Sequence, residues 1–326
     1  MDGKLLLAQI EEFAKEEPWY TALLANAAAL LFDAMDEVNW AGFYLSNGKE
    51  LVLGPFQGKP ACIHIPFGKG VCGTAALNDQ TLVVEDVHQF PGHIACDSAS
   101  ESEIVIPLHS LGRVIGVMDI DSPVKARFKE EEKQVLEAVA ALLENLPVRW
   151  EQGFDDLGKP SERFLLREIT LEEAQTAAKI ESVCFPPNEA CSPLRIYERI
   201  QAAPELFLAA IDRETGLMAG FLNGIATNEP HLRDEFFTDA SLHQKDGENV
   251  ILCGLDVLPL YRRRGLARAI MEAYCQREWA RGRKRIILTC LPDKVKMYRS
   301  MGFEDLGISA SKWGGEVWHE MMIRGL

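Results

Sequence analysis

Three cysteines and three acids crowd into one stretch of this chain. Between Gly54 and Asp121 stand Cys62, Cys72 and Cys96, and with them Glu103, Asp119 and Asp121. Thiols beside carboxylates suit proton-coupled sulfur redox chemistry. A thiolate is the nucleophile, and a carboxylic acid can give a proton to an oxygen that must leave. Each residue also has a plainer reading. Free cysteine often only packs, which would account for Cys62 within ACIHI. At Cys72, a helix start after two glycines, packing and chemistry weigh equally, whereas Cys96 sits in a polar loop beside Asp97. Asp119 and Asp121 share one strand face by the two-residue period, and a solvated edge would look the same. His88 and His93 match no metal-ligand spacing and read as loop hydrogen-bonders.

The chain that must position these groups has 326 residues, too many for one ordinary core, so two domains are expected. Its 47% hydrophobic and 25% charged residues are those of a soluble globular protein. No apolar run is long enough to span a membrane. The opening MDGKLLLAQIEEFAKEEPW has no basic region before its short apolar run and reads as an amphipathic helix, which points to the cytoplasm. A formal charge of −15, most of it in the first half, argues against nucleic acid as a partner. Eight cysteines without a CxxC pair suggest reduced thiols, with neither a disulfide framework nor a structural metal.

Apolar spacing predicts helices over Leu5 to Phe13 and Trp19 to Met35. Strands follow over Trp40 to Leu45, Leu51 to Leu53 and Ala61 to Ile65, the first two joined by a hairpin turn at Asn47-Gly48. Gly68-Lys69-Gly70 breaks the chain before a helix over Val71 to Leu77. Leu82 to Val84, Ile104 to Leu108 and Val114 to Ile120 complete an antiparallel sheet, and a helix from Glu130 to Leu146 closes an α+β domain with its helices on one side. The segment from Glu85 to Ser102 has no period and reads as a loop folded over a pocket.

The stretches NWAGFYL, GPFQGKPAC, IPFGKGVCGTAA, VEDVHQFPGHIACDSASESEIVIPL and GVMDIDSP closely resemble the free methionine-R-sulfoxide reductases, GAF-fold enzymes that act on the free amino acid. The resemblance covers roughly residues 20–147. It implies that Cys96 is the nucleophile, Cys62 its resolving partner and Cys72 an accessory cysteine. It further implies that Glu103, Asp119 and Asp121 bind the substrate ammonium and help protonate the sulfoxide, and that Trp40 and Tyr44 line the pocket at the methyl-sulfur end. Attack by Cys96 would leave a sulfenic acid, Cys62 would condense with it to a disulfide, and a dithiol donor such as thioredoxin would reset the pair. The resemblance also implies a homodimer. The rival reading is a non-catalytic GAF sensor that regulates the second half; a sensor has no need of a resolving Cys62.

Residues 148–163 lose the hydrophobic period and form a linker between a domain over 1–147 and another over 164–326. A strand over Phe164 to Glu168 leads by Thr170, with its Thr-x-x-Glu cap pattern, into a helix. A helix over Leu194 to Ala202, a hairpin over Leu206 to Thr227, a polar loop over Asn228 to Glu248 and a strand over Val250 to Val257 follow. Leu255 and Val257 end that strand. Arg262, Arg263, Arg264, Gly265, Leu266 and Ala267 then open a helix whose first amides could cradle a pyrophosphate. This loop resembles that of GNAT-fold N-acetyltransferases and implies acetyl-CoA as cofactor and a mixed α/β domain. APELFLAA and SASKWGGEVWHEMM resemble the arylalkylamine (serotonin-type) branch, which implies Tyr298 as general acid toward the departing thiolate. The branch's histidine pair is replaced by Ile251 and Cys253, leaving the base and the acceptor amine open. Trp313 and Trp318 could line an acceptor site or simply fill a core.

Overall fold

The computed structural model describes residues 2–16, 19–94, 97–110, 113–145 and 160–325. The chain divides into two compact units, Met1–Leu157 and Gly158–Leu326. No helix among the described residues is long and apolar enough to cross a membrane.

The first unit runs α1 (Gly3–Glu16), α2 (Tyr20–Ala34), β1 (Trp40–Ser46), β2 (Glu50–Gly58), β3 (His64–Pro66), α3 (Gly70–Asn78), β4 (Leu82–Val84), β5 (Ser102–Ser110), β6 (Arg113–Ser122) and α4 (Glu130–Asn145). The strands form one antiparallel sheet in the order β3-β2-β1-β6-β5-β4. Alternation along the three central strands sorts the two faces. Phe43, Leu45, Ile104, Ile106, Met118 and Ile120 turn to one side, where they form a core with Leu6 and Ile10 of α1, Leu24 and Leu31 of α2, and Leu136, Val139 and Leu143 of α4. Trp40, Tyr44, Glu103, Asp119 and Asp121 turn to the other.

Three expectations are corrected here. The helices do not all lie on one side: α3 packs on the face that carries the acids, bringing Cys72 to Glu103. Its pattern is too short and too uniformly small to show a face. Cys62 is not in a strand, because β3 begins only at His64, and the segment through Pro60 leaves the sheet after Gly58, whose φ of +122° ends β2. The second strand, expected to stop at Leu53, continues to Gly58 because Gly54-Pro55 sits in a β-bulge opposite Phe43, where proline sacrifices no ladder bond. At the other end of the sheet, His109 of β5 bonds both Asp79, the α3 C-cap, and Glu144 of α4, at 2.6 Å each. That clasp fixes helices on both faces to one strand, and its two acids push the imidazole up to about 10.

The second unit runs α5 (Pro160–Arg163), β7 (Phe164–Glu168), α6 (Ala174–Cys184), α7 (Pro193–Ala202), β8 (Phe207–Asp212), β9 (Met218–Thr227), β10 (Asn249–Val257), α8 (Leu266–Ala280), β11 (Arg285–Cys290), α9 (Val295–Arg299), β12 (Glu304–Ile308) and β13 (His319–Arg324). Its sheet has the order β12-β13-β11-β10-β9-β8-β7, with β10 and β11 parallel and the other neighbours antiparallel. Asn223 meets Arg199 of α7 while the next residue, Gly224, makes room for Tyr274 of α8, so helices cover both faces. The Thr170 capping box is present, though it caps a 3-10 turn over Leu171–Glu173 that leads into α6. The expected polar loop after β9 holds two 3-10 turns, one of which buries Phe236 in a cluster with Ile251 and Ile287.

Candidate functional site

In the first unit the strand register sets three site residues abreast. Trp40 pairs with Asp121 across β1 and β6, and Asp121 with Glu103 across β6 and β5. Asp119 lies two residues along, on the same face and opposite Gly42. Together with Tyr44, Cys72, His93, Asp97 and Ser100 they line a cavity whose floor is the sheet and whose wall is the start of α3. Trp40 stacks between Tyr44 and Phe56, with ring centroids 5.8 and 5.3 Å apart. The Tyr44 hydroxyl donates to the carbonyl of Cys62 at 3.0 Å, which ties the segment carrying that thiol to the aromatic wall.

The electrostatics of the three acids follow from burial. Glu103 and Asp119 are 6% and 5% exposed. Desolvation favours neutral carboxyls, and like charges so close cannot all ionise. Burial, then Asp119 and Asp121, hold Glu103 well above the usual carboxylate range. Burial, then Asp119 and Asp97, do the same to Asp121. Asp119 is pushed up to about 6, chiefly by desolvation. The cavity floor therefore stores protons at neutral pH. Cys72 belongs to this store: its Sγ is 3.8 Å from Glu103 Oε1, and burial and the acids push the thiol well above its ordinary value. It is a poor thiolate. Cys72, Glu103 and Asp119 also present donor atoms within 4.8 Å of one another, close enough to hold a cation. Trp40 Nε1 and Asp119 Oδ1 are buried without a hydrogen-bond partner among the described residues.

Cys96 lies outside the described residues; its described neighbours Ile94 and Asp97 both line the cavity. Sequence reasoning missed Asn39, Asp97 and Ser100. Asn39 Nδ2 donates to Asp97 Oδ2 at 3.2 Å and to Ser100 Oγ at 3.1 Å, pinning the loop to the start of β1. Only the adjacency of Asn39 to Trp40 could have signalled this. His93, read as a loop residue, faces the cavity, and burial followed by His88 lowers its proton affinity.

In the second unit β10 and β11 pair only from Asn249 to Ile251, although β10 runs on to Val257 and β11 to Cys290. A bulge between Leu252 and Gly254 helps the strands part. Leu255 and Val257 lie on the parted half of β10. Arg262 donates to the carbonyl of Val257 at 2.9 Å, folding the turn back on its strand. Arg263 and Gly265 have φ of +62° and +78°, and Gly265 is the N-cap of α8, followed by Leu266 and Ala267. Tyr298 lies on α9, against Phe303 with ring centroids 5.8 Å apart. Burial, then Cys290 and Asp256, raise its phenol, so it keeps its proton. Ile251 is core, and Cys253 Sγ contacts the Phe236 carbonyl at 3.7 Å, so neither supplies a base. Trp313 and Trp318 use their indole N–H groups on the backbone of Glu189 and Trp313.

Comparison with known proteins separates the halves the same way. The GAF domain family matches residues 21–146 and the acetyltransferase (GNAT) family residues 174–303. Protein YtsP of Bacillus subtilis is 54% identical over 145 residues, which are 44% of this chain and 89% of that protein. The free methionine-R-sulfoxide reductase of Escherichia coli is 55% identical over 130 residues, 40% of this chain and 79% of that one. The first unit belongs to the free methionine-R-sulfoxide reductase family. A solved reduced form of the fRMsr of Staphylococcus aureus is 50% identical, covers 45% of this chain and 96% of its own, and has a TM-score of 0.43. The chain is thus a GAF-type domain of that reductase family followed by a GNAT acetyltransferase domain of mixed α/β fold.

Proposed function

We propose that the first unit reduces free L-methionine-R-sulfoxide. The proton-storing floor of Glu103, Asp119 and Asp121 under the Trp40–Tyr44 wall carries this reading. A free amino acid brings an ammonium, which the acids attract, and a sulfoxide oxygen, which needs a proton. Cys96 attacks the sulfoxide sulfur as a thiolate, and the oxygen leaves sulfur for Cys96 with a proton from the floor. Methionine is released and the cysteine becomes a sulfenic acid. The Cys62 thiol then displaces water to form the disulfide, and a thioredoxin-type dithiol restores both thiols by exchange. The second unit transfers acetyl from acetyl-CoA to an amine. The parted strands admit the pantetheine arm, the Arg262–Ala267 turn holds the pyrophosphate, and Tyr298 protonates the leaving thiolate. Gly265 supports this use, since its positive φ leaves the first amides of α8 open to a phosphate. A homodimer and a cytoplasmic location are part of the same proposal.

The deciding experiment follows methionine released per enzyme. Wild type with a thioredoxin system turns over continuously. Cys96→Ser releases none, and Cys62→Ser releases about one equivalent and then stalls. Continuous turnover in both variants overturns the mechanism, whereas a wild type that releases no methionine leaves a sensor role for the cavity.

A further inference from the structure

A second group of buried acids, a pair in the acetyltransferase unit, has no role so far. Asp256, near the end of β10, is fully buried, and Glu181, near the end of α6, is 3% exposed. Glu181 Oε1 accepts from the Cys191 amide at 2.9 Å, but its Oε2 and both oxygens of Asp256 have no donor among the described residues. Asp256 Oδ2 and Glu181 Oε2 lie 3.1 and 3.6 Å from one point beside Gly254, which brings the two carboxyls together. Such a contact is favourable only if a proton sits between them.

The surroundings give the same count. Arg199 of α7, 3% exposed, donates to Asn223 Oδ1 at 2.6 Å and to the Phe237 carbonyl at 3.0 Å, and its charge offsets one carboxylate. Arg262 acts on Asp256 from the turn, and the neutral groups of Cys184, Cys191, Cys253 and Tyr298 are further titratable neighbours. Of the two guanidiniums only Arg199 is fully buried with the acids, since Arg262 is half-buried and spent on the Val257 carbonyl, so the cluster approaches neutrality with one carboxyl protonated. Burial, then Glu181, hold Asp256 well above the usual carboxylate range, and burial raises Glu181 too, so the pair shares a proton.

The pair is also well placed. A Cβ added at Gly254, half-exposed on the parted half of β10, would lie 3.1 Å from Asp256 Oδ2 and 3.6 Å from Glu181 Oε2. Asp256 itself lies on the half of β10 that has parted from β11, and its charge acts on Tyr298.

We propose that Glu181 and Asp256 act together as the proton acceptor of the acetyltransferase unit, for a primary amine with an apolar or aromatic tail. The inference rests on the acetyl-CoA reading above. The tail follows from Phe236, Phe237 and Trp313, which share one apolar cluster with Cys253 of β10. The amine nitrogen forms its bond to the acetyl carbonyl carbon, the carbon–sulfur bond breaks, and the electron pair leaves on sulfur. The nitrogen's proton goes to the carboxylate of the pair, the sulfur takes one from Tyr298, and solvent returns a proton from the pair to the phenolate.

The test uses the full chain, with acetyl-CoA binding read by calorimetry and thiol release measured with phenethylamine and n-hexylamine from about pH 6 to pH 9.5. Asp256→Asn and Glu181→Gln are expected to bind acetyl-CoA within about twofold of wild type and to lose about a hundredfold or more in kcat. The loss shrinks as rising pH supplies unprotonated amine. The two variants are isosteric, and melting curves identify any that fails to fold, leaving the other to decide. Wild-type kcat and pH profile in a folded variant overturn the proposal. A wild type that binds acetyl-CoA yet acetylates neither amine also overturns the proposal, whereas one that binds no acetyl-CoA brings down the earlier reading.

Discussion

At Asp119 the chain gives up stability to bury a carboxylate. The group's ordinary value of 3.8 in the unfolded chain is pushed up to about 6 in the fold. The folded state therefore binds more protons than the unfolded one between those values. Stability falls as pH rises through that window, and stays lowered above it. A shift of about two units corresponds to roughly 3 kcal/mol. Asp119→Asn, which cannot ionise, is expected to melt several degrees above wild type at pH 8, with the gap closing toward pH 4. Equal melting at pH 8 would show that the carboxylate is not penalised. Activity moves the other way. Glu103→Gln should lower kcat by about a hundredfold or more. The wild-type pH profile should be a bell whose alkaline limb marks loss of the floor's proton and whose acid limb marks the thiolate. If the alkaline limb keeps its position and height in Glu103→Gln, the proton comes from elsewhere.

Among the elements, those with a clear period were legible and those built around glycine were not. The apolar stripe of α2 and the Asn47-Gly48 turn, where Gly48 has φ of +84°, follow directly from residue type. The length of β2 did not, because Gly54-Pro55 looks like a stop and is a bulge. The place of α3 did not, because Gly70 to Asn78 carries no amphipathic stripe and is located by Cys72, Asp79 and the sheet instead. The acids could be placed on one strand face from period alone, but whether that face was wet or buried depended on α3 and the loop, which are non-local. In the second unit the Arg262–Ala267 turn was legible from Arg, Gly and Ala types. It depends on Gly265, whose φ of +78° disfavours any side chain and most of all a β-branched one. Gly265→Val is expected to weaken acetyl-CoA binding about tenfold or more by calorimetry, at a local strain of about 1–2 kcal/mol. Intact affinity would mean that the turn does not hold the pyrophosphate.

The whole molecule joins two units that each bury their own apolar cluster, one around Phe43, Ile106 and Leu136 and one around Ile225, Phe236 and Ile287. The break at Leu157 and Gly158 falls where the chain loses its hydrophobic period, the signature of a linker between cores. Protein YtsP matches this chain over 89% of its own length and only 44% of ours, so a protein of the first unit's extent exists without the second. Autonomy follows physically as well: a core of this kind supplies its own burial energy, and a covalent tether adds little to it. The fragment 1–157 is expected to fold alone, to melt within a few degrees of the corresponding transition in the full chain, and to keep its methionine sulfoxide reductase rate within about twofold. The fragment 158–326 is expected to keep its acetyl-CoA affinity by the same measure. Loss of the cooperative transition in either fragment, or a rate drop of tenfold or more in the first, would mean that the units complete each other and that the tether is part of the site.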